Sequence, residues 1–436
     1  MSAYRRKPRS DRETALLAKT AELLPAGARN PTMSPEHAMI VKEARGSRIT
    51  DVSGNEYIDY LLGSGPMLVG HAHPAVVSAV RDQLERGNAY LMVSEPAIEL
   101  AEELVRAVPC AERVSFASTG TEAVLYALRL ARAARKRDRI LKFEGGYHGQ
   151  SDSVLMSNQW TWTPADLPTP VPNSLGIPKS VENDVLVAPF NDIDATTALI
   201  DRHADELAAV IVEPLHRTVP PRPGFLEGLR DVTARHEIPL VFDEVVTGFR
   251  LAYGSAQAYY GVTPDLCALG KSISAGHPIG VICGRADIMS HAEAMRQVTG
   301  GYVSITGTYS GNPVSCVAAL AAMAELRKDG VYDELFAKGR KLMDGLQRMF
   351  DAAGIRAHVI GEPPAFEPWF AEEAPVDFRG MLASDFKMRA AFSSALLERG
   401  VMKAHEKFFV SLAHSDEDIE LTLAAASSAI TELAGQ

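Results

Sequence analysis

Cysteine is scarce: only Cys110, Cys267, Cys283 and Cys316 occur in 436 residues, and no two are close together. That excludes a disulfide-stapled secreted scaffold, and the apolar neighbours of all four predict reduced, buried thiols in a cytoplasmic protein. Basic charge is also short. The 44 Lys and Arg face 55 Asp and Glu, and the net charge of −11 opposes non-specific attraction to nucleic acid or an anionic membrane. No apolar stretch approaches the ~20 residues that span a bilayer. The one locally basic segment, YRRKPRSDR, is interrupted by acid and has no apolar core behind it, which predicts a solvated tail rather than a targeting peptide. Repeats and low-complexity tracts are absent. Metal-ligand spacing is absent too: His71 and His73 precede a Pro-started helix with no third ligand nearby, so a structural turn is the better reading.

What is present is ordinary globular material, 46% hydrophobic and 23% charged. Its length exceeds the size at which single cores stop growing, so one large domain and a smaller one are expected. A short helix over 11–24 precedes the breaker PAGARNP, and two alternating runs flank a hairpin turn at Ser53-Gly54-Asn55. Then VSFAS, RILKF, VLVAPF, AAVIVEP, IPLVFDEV and DLCALG read as apolar strands separated by helical stretches. Strands alternating with helices imply βαβ units and a doubly wound, mostly parallel sheet in an α/β fold. From about Val314 the chain changes: KGRKLMDGLQRMFDAA, MRAAFSSALLERG and SDEDIELTLAAASSAITELAG read as helices, with short strands RAHVIG and KFFVSLA between them. That is α+β material.

The chemistry concentrates in Val241–Lys271. Two apolar strands there end in Asp243-Glu244 and in Lys271, and a parallel sheet exposes its functional groups at the carboxyl ends of its strands, so Asp243 and Lys271 share one rim. A lysine that forms a Schiff base with an aspartate opposite a pyridinium nitrogen is how proteins handle pyridoxal phosphate (PLP). The plain alternatives are a solvated lysine and an acidic helix start. The STGT turn offers the amides of Gly120 and Thr121, the Thr121 hydroxyl and a helix dipole to a phosphate; equally, Thr121 and Glu122 serve as a helix cap and bind nothing. RILKFEGGYHG ends a strand on an aromatic pair. The Tyr147 ring is suited to stacking on a planar cofactor, or simply packs a loop with His148. Glu213 ends a strand in the position equivalent to Asp243. Residues 157–180, rich in Pro after the aromatic triplet Trp160-Thr161-Trp162 near their start, read as a lid.

These motifs in this order (DVSGNEYIDY, GHAHPAVVSAV, STGTEAVLYALRLARA, KFEGGYHGQSDS, PGFLEGLRDVT, VFDEVVTGFR, LGKSISAGHPIG, GTYSGNP and SLAHSDEDI) run through nearly the whole chain. The chain resembles the class III, fold-type I PLP-dependent aminotransferases, in the branch similar to glutamate-1-semialdehyde aminomutase. The resemblance implies PLP as cofactor, with Lys271 joined to its aldehyde and then acting as the proton-moving base. It implies that Asp243 pairs with the ring nitrogen, that Val245 and Tyr147 pack the two ring faces, and that Gly120 and Thr121 hold the phosphate. It brings Thr308 to the phosphate of the neighbouring subunit, which makes a homodimer part of the site. Glu213 and His148 fall beside the cofactor, and no metal takes part. The smaller domain is implied to be assembled from both chain ends: an N-terminal segment 1–70, the large PLP-binding domain 71–313 and a C-terminal part 314–436.

Departures fall on the substrate side. Met33 stands where aminomutases carry a carboxylate-binding arginine, Gly63-Ser64-Gly65-Pro66 replaces their Gly-Ser-Trp before Gly-Pro, and the shortened MKAHEKFFVS leaves Glu406 without assured equivalence. Ser64 and Met33 are therefore substrate-side candidates. EPLHRT places bulky His216 and Arg217 where small residues are usual; Arg217 either clamps a substrate carboxylate or faces solvent. The expected activity is ping-pong transamination from an amine or amino acid to a keto acid. The alternative is an isomerase, either an aminomutase or an amino-acid racemase.

Overall fold

The computed structural model describes residues 4, 6–25, 36–158, 165–403 and 407–435. Met33, Trp160, Trp162 and Glu406 lie outside the described residues. The chain divides into two compact units: Met1–Pro74, Asp329–Ala374 and Ala383–Gln436 form one, Ala75–Lys328 and Pro375–Leu382 the other.

The first unit opens with the helix Asp11–Leu23 and the antiparallel strands β1 (Val41–Arg45), β2 (Arg48–Asp51) and β3 (Glu56–Asp59). The hairpin at 53–55 closes because the Asp51 carboxylate accepts from the Asn55 amide and from its side-chain nitrogen, both at 2.8 Å. His71 belongs to this unit as a structural residue, its Nε2 2.8 Å from Asp59 Oδ2.

The second unit is built on a seven-stranded sheet of β4 (Arg113–Ala117), β5 (Arg139–Phe143), β6 (Val185–Ala188), β7 (Leu207–Val212), β8 (Leu240–Glu244), β9 (Leu266–Leu269) and β10 (Gly280–Gly284), in the order β4-β10-β9-β8-β7-β5-β6. Strands β9, β8, β7, β5 and β6 are parallel, and β10 runs antiparallel to both β9 and β4. Every residue of β7 and β8 is buried, which is why both read as continuous apolar runs: a parallel sheet is covered on both faces. One cover is the helix Gly120–Arg135, whose Ala123, Val124, Ala127, Leu128 and Ala131 join Ile140, Ile211, Val241 and Ala268 in a single core. Each Leu, Ile or Val fully buried there contributes about 1.5–3 kcal/mol relative to exposure. On β5, Phe143 meets Phe190 and Phe225 edge-on. Sequence reasoning missed β10. Its terminal glycines obscure the pattern, and both are required by contact: a Cβ on Gly280 would meet Thr119 O at 2.1 Å, and one on Gly284 would meet Leu266 Cδ2 at 2.3 Å.

The chain then returns to the first unit with β11 (His358–Glu362), β12 (Ala365–Trp369), β13 (Val401–Met402) and β14 (Phe408–Phe409). β13 completes the first sheet beside β3, so both chain ends build this unit, and β11-β12-β14 form a third sheet. The helices Val331–Ala352, Phe386–Leu397 and Asp416–Ala434 pack around them, the last opened by a capping box between Ser415 and Asp418. All four cysteines are buried and unpaired. Among the described residues no helix is long and apolar enough to cross a membrane.

Candidate active site

Parallel strands end on one rim. The ends of β5, β7, β8 and β9, together with that of β4, therefore bring Tyr147, Glu213, Asp243, Lys271 and Gly120 to the same edge of the larger unit.

After β4 the chain turns into the helix Gly120–Arg135. Its cap is Thr119, not Thr121: Thr119 Oγ1 accepts from the Glu122 amide at 3.2 Å, and Glu122 Oε2 accepts from the Ser118 amide at 2.7 Å. Gly120 and Thr121 are thereby the first two helical residues, where amides have no acceptor within the helix. Close contacts crowd this turn. A Cβ on Gly120 would lie 2.8 Å from Val245 Cγ1, and one on Gly149, at φ +95, would lie 2.7 Å from Thr121 Oγ1. Gly270 also borders Val245 and Gly120. Glycines at 120, 149 and 270 thus let three loops converge on Thr121, Val245 and Lys271.

Asp243, 5% exposed, is fixed at both oxygens: Oδ2 lies 2.8 Å from His148 Nδ1 and Oδ1 accepts from the Val245 amide at 3.1 Å. The carboxylate settles the His148 tautomer by holding a proton on Nδ1; among the described residues the buried Nε2 finds no hydrogen-bond partner. Glu244, the next residue, points into the core. It accepts from the Ala256 amide at 2.5 Å, Gln257 Nε2 at 2.9 Å and Thr247 Oγ1 at 3.2 Å, and burial pushes its carboxyl up to about 7 against those bonds. Strand alternation alone separates these two acids.

Lys271 follows Gly270, half-buried and left-handed at φ 47. A non-glycine residue there is strained, a state that persists only where its surroundings over-determine it. Buried Arg250 contributes to that support: its Nε donates to Val246 O at 2.9 Å and Nη2 to Ser272 Oγ at 3.3 Å, while Ser272 Oγ donates to Gly248 O at 3.1 Å. Sequence reasoning missed Arg250; an arginine closing VFDEVVTGFR was its only trace.

Tyr147, 37% exposed, receives the Gln150 side-chain amide on its hydroxyl at 2.7 Å, and its own amide donates to Glu213 Oε2 at 3.1 Å. Arg217 is left-handed at φ 60, with its guanidinium 5.6 Å over the Tyr147 ring centroid. Its Nε donates to Gly145 O at 2.8 Å and Nη2 to Asn158 O at 3.2 Å. It therefore turns inward to the Tyr147 loop rather than out to solvent. Buried His216 lies stacked 4.5 Å from Phe190, its Nε2 on Glu144 O at 2.9 Å, and burial keeps it neutral by pushing its pKa well down.

Beneath this loop lies Lys142, fully buried on β5 and unremarked in the sequence because it sits inside RILKF. Burial, then the Arg217 charge, pushes its amine down to about 7, against the pull of the Glu213 and Glu144 carboxylates. Its acceptors are Gly146 O at 2.8 Å, Val154 O at 3.3 Å and Met156 O, three for the three hydrogens of an ammonium. Buried Glu144 takes the Arg379 fork at 2.8 and 3.1 Å. Thr308 stands exposed in a turn of the larger unit, and Ser64 lies in a turn of the other unit.

A family model for class-III aminotransferases matches residues 30–430. The chain belongs to this family. Glutamate-1-semialdehyde 2,1-aminomutase of Desulforamulus reducens is 40% identical over 435 residues, 97% of this chain and 98% of its own. An omega-transaminase from Sphaerobacter thermophilus has a similar structure, with a TM-score of 0.92 and 34% identity over 98% of both chains. A transaminase solved with PLP bound is similar at TM-score 0.89 and 29% identity, over 98% of this chain and 99% of that one. This class-III family member is a PLP-dependent enzyme of the fold-type I architecture. Its residues fit that cofactor: a buried carboxylate for a ring nitrogen, a helix amino terminus for a phosphate, an amine for an aldehyde, and glycines where any Cβ would close the cradle.

Proposed function

We propose that the enzyme is an aminotransferase, moving an amino group from an amine or amino acid to a keto acid by a ping-pong exchange in which the donor's carbonyl product leaves before the acceptor binds. The carrying observation is a contrast: the cofactor cradle is intact, whereas Gly63-Ser64-Gly65-Pro66 lacks the tryptophan that aminomutases carry there. Bound PLP supplies an aldehyde and an electron-withdrawing ring. Lys271 Nζ would hold that aldehyde, and its amine would take and return the proton at the substrate carbon. Asp243 holds a proton on the ring nitrogen, steadied by His148. Tyr147 and Val245 pack the ring faces, Gly120 and Thr121 bind the phosphate with Thr308 of a second copy in a homodimer, and Glu213 fixes the Tyr147 backbone.

The 40% identity to a glutamate-1-semialdehyde 2,1-aminomutase favours a second reading, an isomerase. One experiment separates them. Purified holoenzyme is given a panel of amines, alone and with 2-oxoglutarate or pyruvate, and separately glutamate-1-semialdehyde alone. Transamination requires the second carbonyl substrate for turnover; rapid turnover of glutamate-1-semialdehyde alone, with no amine–keto acid pair active, would sink the proposal.

A further inference from the structure

Three successive carbonyls just before Tyr147 each meet a basic side chain. Glu144 O accepts from His216 Nε2 at 2.9 Å, Gly145 O from Arg217 Nε at 2.8 Å and Gly146 O from Lys142 Nζ at 2.8 Å. Lys142 and Arg217 also reach the far side of the same loop, at Val154, Met156 and Asn158. Residues 144–146 have left β5, so no strand ladder supplies donors to these carbonyls, and buried carbonyls need partners. The next two residues are tied to acids instead, Tyr147 N to Glu213 and His148 Nδ1 to Asp243. The His216–Arg217 turn is itself locked, His216 and Val219 exchanging both backbone hydrogen bonds at 3.0 and 2.8 Å.

We infer that Lys142, His216 and Arg217 are positioning residues: together they grip the 144–146 backbone and set the Tyr147 ring and His148 imidazole for the cofactor. His216 and Arg217 are the bulky pair that set EPLHRT apart in the sequence, and the grip gives both a purpose. The guanidinium covers one face of the Tyr147 ring, leaving the opposite face for a planar partner. Two features make the grip rigid. His216 cannot swing because its ring is stacked on Phe190, and Lys142 cannot exchange its acceptors for water because it is fully buried.

The inference rests on Tyr147 and His148 contacting PLP, and the experiment separates the two layers. Apo-protein is titrated with PLP in His216→Phe, which keeps the stacked ring and loses the donor, in Arg217→Met, Arg217→Lys and Lys142→Met, and in Tyr147→Ala. The readouts are the PLP dissociation constant, the visible circular dichroism per bound cofactor and the melting temperature of the apo-protein. Losing one hydrogen bond predicts about fivefold weaker PLP binding in His216→Phe, and losing two predicts about tenfold or more in Arg217→Met, each with a smaller dichroic band, partly restored in Arg217→Lys. Lys142→Met loses three bonds and should weaken binding by about 30-fold or more; if it fails to fold, the other two variants decide. Wild-type affinity and dichroism in His216→Phe and Arg217→Met would overturn the grip even if the apo-protein melts earlier, because the residues would then serve stability alone. Unchanged PLP binding in Tyr147→Ala would instead remove the ring's assignment, and the inference with it.

Discussion

The rim of the larger unit and the 62–65 turn of the other unit are built on opposite plans. On the rim, each functional group is cross-linked to another loop: Asp243 to His148, Tyr147 to Glu213, residues 144–146 to three basic side chains, Lys271 to a backbone steadied through Ser272 and Arg250. The turn carries hydrogen bonds within itself. Leu62, Gly63, Ser64 and Gly65 have φ of 49, 66, 70 and 101, and the amides of Ser64 and Gly65 both donate to Leu61 O, at 2.8 and 3.2 Å. Cross-linking through several loops suits a rigid cofactor that must be seated in one pose. A local turn can change residue by residue without disturbing that seat, which is where this chain departs from the aminomutases.

The largest effect should come from Lys271→Ala, which removes the proposed proton-moving group: kcat is expected to fall by roughly 10⁴-fold, the upper end for such a group, with the fold unchanged by circular dichroism. Single-turnover kinetics with a good donor checks it, and residual activity within tenfold of wild type would break the rim's side of the comparison. Asp243→Asn comes next. It exchanges a charged hydrogen-bond partner for a neutral one, a difference of about 0.5–2 kcal/mol, so kcat should drop by up to about 30-fold, with a red or blue shift of the bound cofactor's absorbance as an independent readout.

Glu244→Gln tests the boundary between rim and core, one residue away. A carboxyl raised to about 7 from its ordinary 4.5 binds more protons folded than unfolded, so its contribution is present below about 4.5 and is lost as pH rises through 7. Glutamine has no such titration. Between pH 4.5 and 8 the stability of the variant relative to wild type should therefore rise by about 3 kcal/mol, measured by urea unfolding at each pH. Turnover at saturating PLP should stay near wild type; a loss as large as that of Asp243→Asn would erase the distinction between the two acids.

Much of this was legible because strand ends are legible. The apolar runs ending at Asp243, Glu213 and Lys271 are visible in the sequence itself, and parallel pairing puts those ends on one edge. What escaped was support rather than chemistry. Lys142 is hidden inside RILKF, because one lysine in an apolar strand gives no sign that three loop carbonyls await it. Arg217 was weighed as a carboxylate clamp or a solvated charge; that it grips main-chain carbonyls depends on a turn at φ 60 that composition does not encode. For Thr121 the sequence leaves a phosphate site and a helix cap both open; Thr119, two residues earlier, takes the cap role and leaves Thr121 in the first turn. β10 was lost to its own glycines.

Gly65→Ala carries the smallest expected effect and bears most directly on the turn. Gly65, which with Pro66 keeps the Gly-Pro that follows the tryptophan in aminomutases, has its backbone at φ 101, where residues with a Cβ are strained. Alanine should therefore cost about 1–2 kcal/mol of stability through the backbone alone. Because the cofactor's cross-links lie in the other unit, the PLP dissociation constant should stay within twofold of wild type while KM for the amino donor changes. If Gly65→Ala instead loosens PLP as much as His216→Phe does, the turn is part of the cofactor's seat, and the two regions do not divide the work between cofactor and substrate.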